Sequence, residues 1–313
     1  MNMDYVGIDV SKHHLDLALG EAGVVRVANN AEGIARLIEQ VSGLSRPHVV
    51  CEATGSHTRQ LSRELGERGI AFSRVNPRRV RELARADGQR AKTDAIDARV
   101  ILRFARLMQP QPTPPPQPQA LELADLVRRR RQVVDMLAME KQRLEHPEAA
   151  SVRASLKAHI AFMASQVRDL DAAIAERIAG DAELERRAGL LVSIPGIGRT
   201  TAAVLVAEMP ELGGLDNKQV AALAGVAPFV RESGQFRGQA HIGGGRASVR
   251  CALYMASISA IRANPQIRSF YRRLRDNRKP AKLAIVAAMR KLLITANAII
   301  ATGTPWQPPN QPT

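Results

Sequence analysis

A mixed α/β domain followed by mainly helical parts is the fold class that this 313-residue sequence predicts. Three observations carry the prediction. Short apolar runs alternate with helix-patterned segments over residues 1–108. Apolar positions recur at 4-3-4-3-4 spacing through Leu156, Ile160, Met163, Val167, Leu170 and Ile174. Apolar residues make up 45% of the chain while aromatics supply only 3%, so the core must be built from Ala, Leu, Ile and Val, which favours helices over an all-β sandwich.

In chain order, Tyr5–Val10 is an apolar run that ends in a polar Asp-Val-Ser-Lys turn, and Leu15–Leu19 follows as a second strand. His48–Cys51 and Ile70–Val75 are the third and fourth, broken by Thr54-Gly55 and Asn76-Pro77 respectively. Helical patterns cover Gly33–Val41, Thr58–Arg68, Arg78–Ala86 and Thr93–Leu107. Residues 109–119, QPQPTPPPQPQ, are too rich in proline for a helix or central strand and read as an extended, semi-rigid spacer. Residues 120–180 form a coiled-coil or helical-hairpin segment broken at His146-Pro147. Its a/d seam serves an intramolecular hairpin and an intermolecular dimer equally well. Residues 188–300 are helical with Gly-rich interruptions, and the tail 301–313 reads as disordered.

Lys and Arg total 45 against 30 acids, a formal charge of +15 and a pI near 10.8. This sets aside a generic metabolic enzyme and points to a polyanion, because each phosphate contact releases counterions. No acid follows Asp276, whereas Arg278, Lys279, Lys282, Arg290 and Lys291 do, and that surface is expected to face phosphates. Two cysteines, Cys51 and Cys251, build neither a disulfide framework nor a four-ligand zinc site. The opening MNMDYVGIDVSKHH lacks signal-peptide features, and Ala284–Ile300 is interrupted by Arg290 and Lys291, so it reads as a buried helix. A cytoplasmic protein with no membrane partner is therefore expected.

Four acids carry the first chemical signal. Asp9 ends the first strand in GIDVSK, and Glu52 ends another in VVCEATG. Asp94 and Asp97, in KTDAIDAR, share one face at the start of a helix. Ligands of open α/β sheets bind outside strand ends, where these acids are able to converge. Like charges gathered there need divalent cations, and an all-oxygen ligand set selects hard ions, so Mg²⁺ is expected as two ions suited to phosphoryl transfer. Taken one at a time, each acid also has a plain role as a turn or helix-start residue. Gly-Ile-Asp after a strand also opens actin-like kinases, but no Gly-rich nucleotide loop follows here.

The C-terminal part adds two signals. Ser193–Glu208, SIPGIGRTTAAVLVAE, reads as a helix-hairpin-helix in which Gly196, Gly198 and Arg199 bring backbone N–H groups and a cation to phosphate oxygens. Ser233-Gly234 lies in a loop near Arg237 and Arg246, and a serine so placed is either a plain turn residue or a nucleophile. Ser248 is a rival, placed where a helix N-cap or first-turn residue belongs.

The order GIDVSK, CEATGSHTRQL, KTDAIDAR, SIPGIGRTTAAVLVAE, APFVRESGQFRG resembles the DEDD-type insertion-sequence transposases, a family with Piv-like DNA invertases and bridge-RNA-guided recombinases. The resemblance spans nearly the whole chain apart from the Pro-rich segment and the tail. It implies an RNase H-like, RuvC-like N-terminal domain whose acids match Asp9, Glu52, Asp94 and Asp97, and a C-terminal transposase domain whose serine nucleophile matches Ser233. It further implies donor and target DNA as substrates, a covalent serine–DNA intermediate and a homo-oligomer (dimer or tetramer) in which different protomers complete the site. One branch adds a structured guide RNA. The competing expectation is a RuvC-like, metal-dependent, structure-selective endonuclease that uses water.

Overall fold

The computed structural model describes residues 3–20, 23–53, 55–88, 94–113, 118–146, 149–229, 232–233, 236–237 and 241–308. The chain divides into two compact units, 1–117 and 118–313.

Unit 1 runs β1 (Asp4–Val10), β2 (His14–Leu19), β3 (Val24–Ala28), α1 (Ala31–Ser42), β4 (Pro47–Glu52), α2 (Arg59–Glu67), β5 (Ala71–Val75), α3 (Pro77–Ala86) and α4 (Asp94–Met108). The five strands form one sheet in the order β3-β2-β1-β4-β5. The pairs β1–β2 and β2–β3 are antiparallel, and β1–β4 and β4–β5 are parallel. Four strands were expected, and β3 is the fifth. Its outer position leaves Val25 and Arg26 exposed, so it shows no clean apolar alternation.

Side-chain alternation along the strands divides the core in two. Val6, Ile8, Leu15, Leu17, Val49 and Cys51 point to one face and pack with Ile34 and Leu37 of α1 and Leu61 and Leu65 of α2. Val50 and Val75 point to the other, against Ile101 and Phe104 of α4. Helix α1 starts where the Asn30 side chain accepts from the Gly33 N–H at 2.9 Å, and buries Ile34, Leu37, Ile38 and Val41 as a helical stripe. Helix α3 starts at an Asn76 cap with Pro77 in its first turn.

The Pro-rich segment is more than a spacer at its start. The Thr113 N–H donates to the Phe72 carbonyl at 2.7 Å, and the Ser73 hydroxyl donates to the Gln111 carbonyl at 2.7 Å. The extended backbone that proline favours is the shape needed to lie along β5, and Gln111 and Thr113 supply the polar groups.

Unit 2 begins with α5 (Pro118–Arg143) and α6 (Ala150–Ala179). Arg177 meets Glu122 at 2.9 Å and Arg130 meets Asp171 at 2.5 Å. Partners that run in opposite directions make the pair an antiparallel hairpin, the intramolecular of the two seam arrangements. Met163 and Ile174 are buried, while Phe162, Met139 and Val152 stay exposed. Then follow α7 (Ala182–Val192), α8 (Arg199–Glu208), α9 (Asn217–Leu223), the two-residue strands β6 (Pro228–Phe229), β7 (Glu232–Ser233), β8 (Phe236–Arg237) and β9 (His241–Ile242), and helices α10 (Ala247–Ala263), α11 (Pro265–Asp276) and α12 (Ala281–Thr302).

One core joins Leu123, Ile174, Leu191, Leu205, Val249, Leu253, Leu292 and their neighbours. Helix α12 is long and apolar enough to cross a membrane, yet half of that stretch is buried inside the unit. Its Asn297 accepts from the Gly213 N–H at 2.8 Å and donates to the Leu215 carbonyl at 2.9 Å, which suits a core helix whose polar group is satisfied.

The expectation of disorder from residue 301 is corrected over 301–308. Helix α12 continues to Thr302, Gly303 caps it through the Ile299 carbonyl, and Trp306 packs on the core while its backbone N–H donates to the Ser193 hydroxyl at 2.8 Å. A single Trp in a low-complexity tail is enough to anchor it, because an indole buries a large apolar area.

Candidate active site

Strand β1 carries Asp9 and β4 carries Glu52. Ile8 is the register partner of Cys51, so one step further along these parallel strands sets Asp9 beside Glu52. Ile8 and Cys51 point toward α1 and α2. Their neighbours Asp9 and Glu52 therefore lie on the opposite face, the one α4 covers, at the C-terminal ends of two central strands. Both acids are half-buried. The Cys51 thiol, on the other face of the sheet, is pushed up to about 12, chiefly by burial; Arg74 opposes the rise, and Glu52 and Asp9 add to it.

Gly7 brings α4 to this face. A Cβ at Gly7 would stand 2.5 Å from the Ala98 carbonyl oxygen and closer still to the Leu102 amide, so only glycine permits the helix to lie directly on β1. Ala98 and Leu102 share a small core with Ala18. Asp97 adjoins that point of contact and is half-buried. Asp94 is the first residue of α4, one turn before Ala98 on the stripe that continues to Ile101 and Ala105. The Asp94 side chain lies outside the described part. Among the described residues no three His, Cys, Asp or Glu side chains gather closely enough to hold a metal ion.

Asp16 is an acid that the motif reading missed. It is 3% exposed and stands directly across from Asp9 in the β1–β2 register. The signal was present in HLDLAL: an acid inside an apolar strand needs a partner. That partner is Arg26, hidden in the strand that was not foreseen.

In unit 2, Ser233 ends β7 and pairs with Phe236 of β8, leaving two residues between them. Outside this ribbon lies a second one, in which Phe229 pairs with His241 and Pro228 with Ile242. The serine thus belongs to the inner of two nested ribbons. The outer ribbon leads back to the helices through the Arg246 N–H, which donates to the Leu223 carbonyl at 2.9 Å. The side chains of Ser233 and Arg237 lie outside the described part.

Arg246 is occupied within its own unit. It makes a bidentate pair with Glu211 at 2.6 and 2.7 Å and donates to the Glu208 carbonyl at 2.7 Å. Ser248 donates to the Glu208 carboxylate, a bond that ties the start of α10 to the end of α8.

The two hairpin glycines differ. Gly196 has φ +105°, and a Cβ there would lie 2.5 Å from Ala260 Cα, so this glycine serves the packing of the turn on α10. Gly198 is exposed, has open space around it, and starts α8 with no side-chain cap; Arg199 beside it is also exposed.

A DEDD-type transposase family profile matches residues 6–146, and the family described as "Transposase IS116/IS110/IS902 family" matches residues 188–272. The chain is 29% identical over 317 residues to a pilin gene-inverting protein of Moraxella bovis, covering 98% of each chain, and equally so to that of Moraxella lacunata. It is 30% identical over 151 residues to an IS900 insertion-element 42 kDa protein of Mycobacterium paratuberculosis, covering 46% of this chain and 36% of the relative. With both halves matched in order, the chain belongs to the IS110-type family of transposases and DNA recombinases.

Proposed function

We propose that this protein cleaves and rejoins DNA through a covalent bond to Ser233, assisted by the acids of unit 1. One observation carries the reading: Asp9 and Glu52 are register neighbours on the face covered by α4, whose first turns hold Asp94 and Asp97. The strand order β3-β2-β1-β4-β5, with only the first three antiparallel, supports an RNase H-like, RuvC-type domain. The donor set suits a divalent cation, since it is all carboxylate oxygen: Asp9 and Glu52, on adjoining strands, would hold it together with Asp94 and Asp97 from the start of α4. When bound, Mg²⁺ stabilises the negative charge that develops on the phosphoryl oxygens.

The chain's own residues account for the rest. Ser233 Oγ forms a bond to phosphorus while the scissile P–O bond to one deoxyribose oxygen breaks. The serine loses its proton, and in net terms the departing oxygen gains one to leave as a hydroxyl. A hydroxyl of another strand then attacks the phosphoserine, forms the new P–O bond and returns the proton to Ser233. Because the phosphodiester energy is kept in the Ser–P bond, no external energy source is needed. Placement of Ser233 on the inner of two nested ribbons supports delivery of the hydroxyl to DNA in an oligomer. The exposed Gly198–Arg199 start of α8 supports sequence-independent phosphate contact. The charge of +15 supports a second nucleic-acid partner, a structured guide RNA, beside donor and target DNA.

Denaturing gels of protein incubated with its DNA test the proposal. A denaturation-resistant adduct is expected from the native chain and none from Ser233→Ala. An adduct that persists in Ser233→Ala refutes the nucleophile. Strand cleavage that persists in Ser233→Ala but disappears in Asp9→Asn turns the reading to hydrolysis by water.

A further inference from the structure

A row of four charged residues crosses the sheet on the face that α4 covers. Glu52 of β4 neighbours Asp9 of β1, Asp9 is the register partner of Asp16 of β2, and Asp16 is the register partner of Arg26 of β3. The face is fixed by the neighbours: Leu15 and Leu17 point toward α1 and α2, whereas Ala18 meets Ala98 and Leu102 of α4. Asp16 alternates with the leucines and so lies with Asp9. Its side chain is 4% exposed, and Arg26 grips both its oxygens, Nε to Oδ1 at 2.8 Å and Nη2 to Oδ2 at 3.0 Å.

A carboxylate buried directly beside Asp9 has two possible fates. Uncompensated, it adds a third negative charge in line with Asp9 and Glu52 and competes for any cation they hold. Clamped in two hydrogen bonds by a guanidinium, it has its charge offset, and each of its oxygens already accepts one strong bond. Directly opposed residues on antiparallel strands have Cβ atoms about 4.5–5.5 Å apart, well within reach of a strong Coulomb effect in a half-buried setting.

We infer that Asp16 and Arg26 are a positioning pair that sets the charge of the acid site and confines its divalent cations to Asp9, Glu52 and the start of α4. The inference rests on the metal-holding role proposed for those acids. Neither Asp16 nor Arg26 touches substrate or metal; each acts through Asp9.

Binding of Mn²⁺ to the full-length chain, followed by the electron paramagnetic resonance of the free ion, tests it. Arg26→Gln leaves the Asp16 carboxylate uncompensated and is expected to tighten Mn²⁺ binding about tenfold while slowing DNA cleavage at saturating Mn²⁺. Asp16→Asn removes the carboxylate that offsets Arg26, leaves the row across the sheet more positive, and is expected to weaken Mn²⁺ binding about tenfold. The double variant Asp16→Asn/Arg26→Gln is expected to return to the native affinity. A pair that merely holds strands together lowers the melting temperature in both single variants and leaves the affinity unchanged, and that result overturns the inference. Should Arg26→Gln fail to fold, an Asp16→Asn affinity equal to native is sufficient to overturn it. The underlying site is tested separately by Asp9→Asn: if the native chain and Asp9→Asn bind Mn²⁺ alike, the metal-holding assignment itself fails.

Discussion

Gly7 faces the Ala98 carbonyl so closely that a Cβ on the glycine would stand 2.5 Å from the oxygen. The strand that carries Asp9 and the helix that carries Asp97 are thus held backbone to backbone. Gly7→Ala is expected to lower the stability of unit 1 by about 1–3 kcal/mol, the usual cost of overpacking a core. It is also expected to suppress DNA cleavage, because α4 must shift away from β1. Thermal denaturation and a cleavage assay check both, and an active Gly7→Ala at native rate contradicts the dependence on that contact.

The two hairpin glycines are expected to separate stability from binding. Gly196→Ala meets Ala260 and a positive φ, and is expected to lose about 2 kcal/mol or more. Gly198→Asp puts a favoured capping residue in open space at the start of α8, so the melting temperature is expected to hold or rise. The same carboxylate repels phosphate, so affinity for duplex DNA is expected to fall. Unaltered affinity in a salt-titrated binding assay assigns the hairpin to packing alone.

His48 is buried, its ring Nε2 2.8 Å from the Ser73 hydroxyl. That hydroxyl donates its one hydrogen to the Gln111 carbonyl, so Nε2–H of the neutral ring is the donor to Ser73. Burial holds the His48 pKa below its ordinary 6.5. The folded chain therefore binds fewer protons than the unfolded one, and stability is lost as pH falls from about 6.5 through the depressed folded value. The slope is at most about 1.4 kcal/mol per pH unit for one group. His48→Gln is expected to flatten this part of the acid limb in denaturant titrations; an unchanged limb excludes His48 as its source.

Thiol reactivity should report on the two cysteines separately. Cys251 is exposed, and Cys51 is buried with its thiol pushed up to about 12. A disulfide reagent at neutral pH is expected to modify Cys251 alone in the folded chain and Cys51 only after unfolding. Rapid modification of Cys51 in the native protein would show that the β1–β4 pairing opens locally.

Most of unit 1 was readable because its central strands are apolar and its helices carry clear stripes. Asp9, Glu52, Asp94 and Asp97 were singled out by their positions at strand ends and a helix start; the strand register sets Asp9 beside Glu52, and α4 begins at Asp94. β3 was not readable, because an outer strand with exposed Val25 and Arg26 has no periodic signal. Missing β3 also hid Asp16, whose meaning depends on Arg26. The hairpin glycines were read as a phosphate cradle. Gly196 turns out to be set by Ala260, which lies 64 residues further along the chain (260 − 196), a distance at which local pattern carries no information. Arg246 was grouped with the loop arginines by proximity in sequence, whereas its guanidinium is fixed by Glu211 and Glu208 from an earlier helix end.

The hydrogen bond from Thr113 to Phe72 has a consequence for self-association. A bare strand margin is a template on which a foreign chain extends the sheet. Here the β5 margin is already capped by the chain's own proline-rich stretch, where further strand pairing is blocked by residues without an amide hydrogen. Among the described residues, growth by strand donation is therefore steered to the β3 margin, where exposed Arg26 discourages indiscriminate stacking.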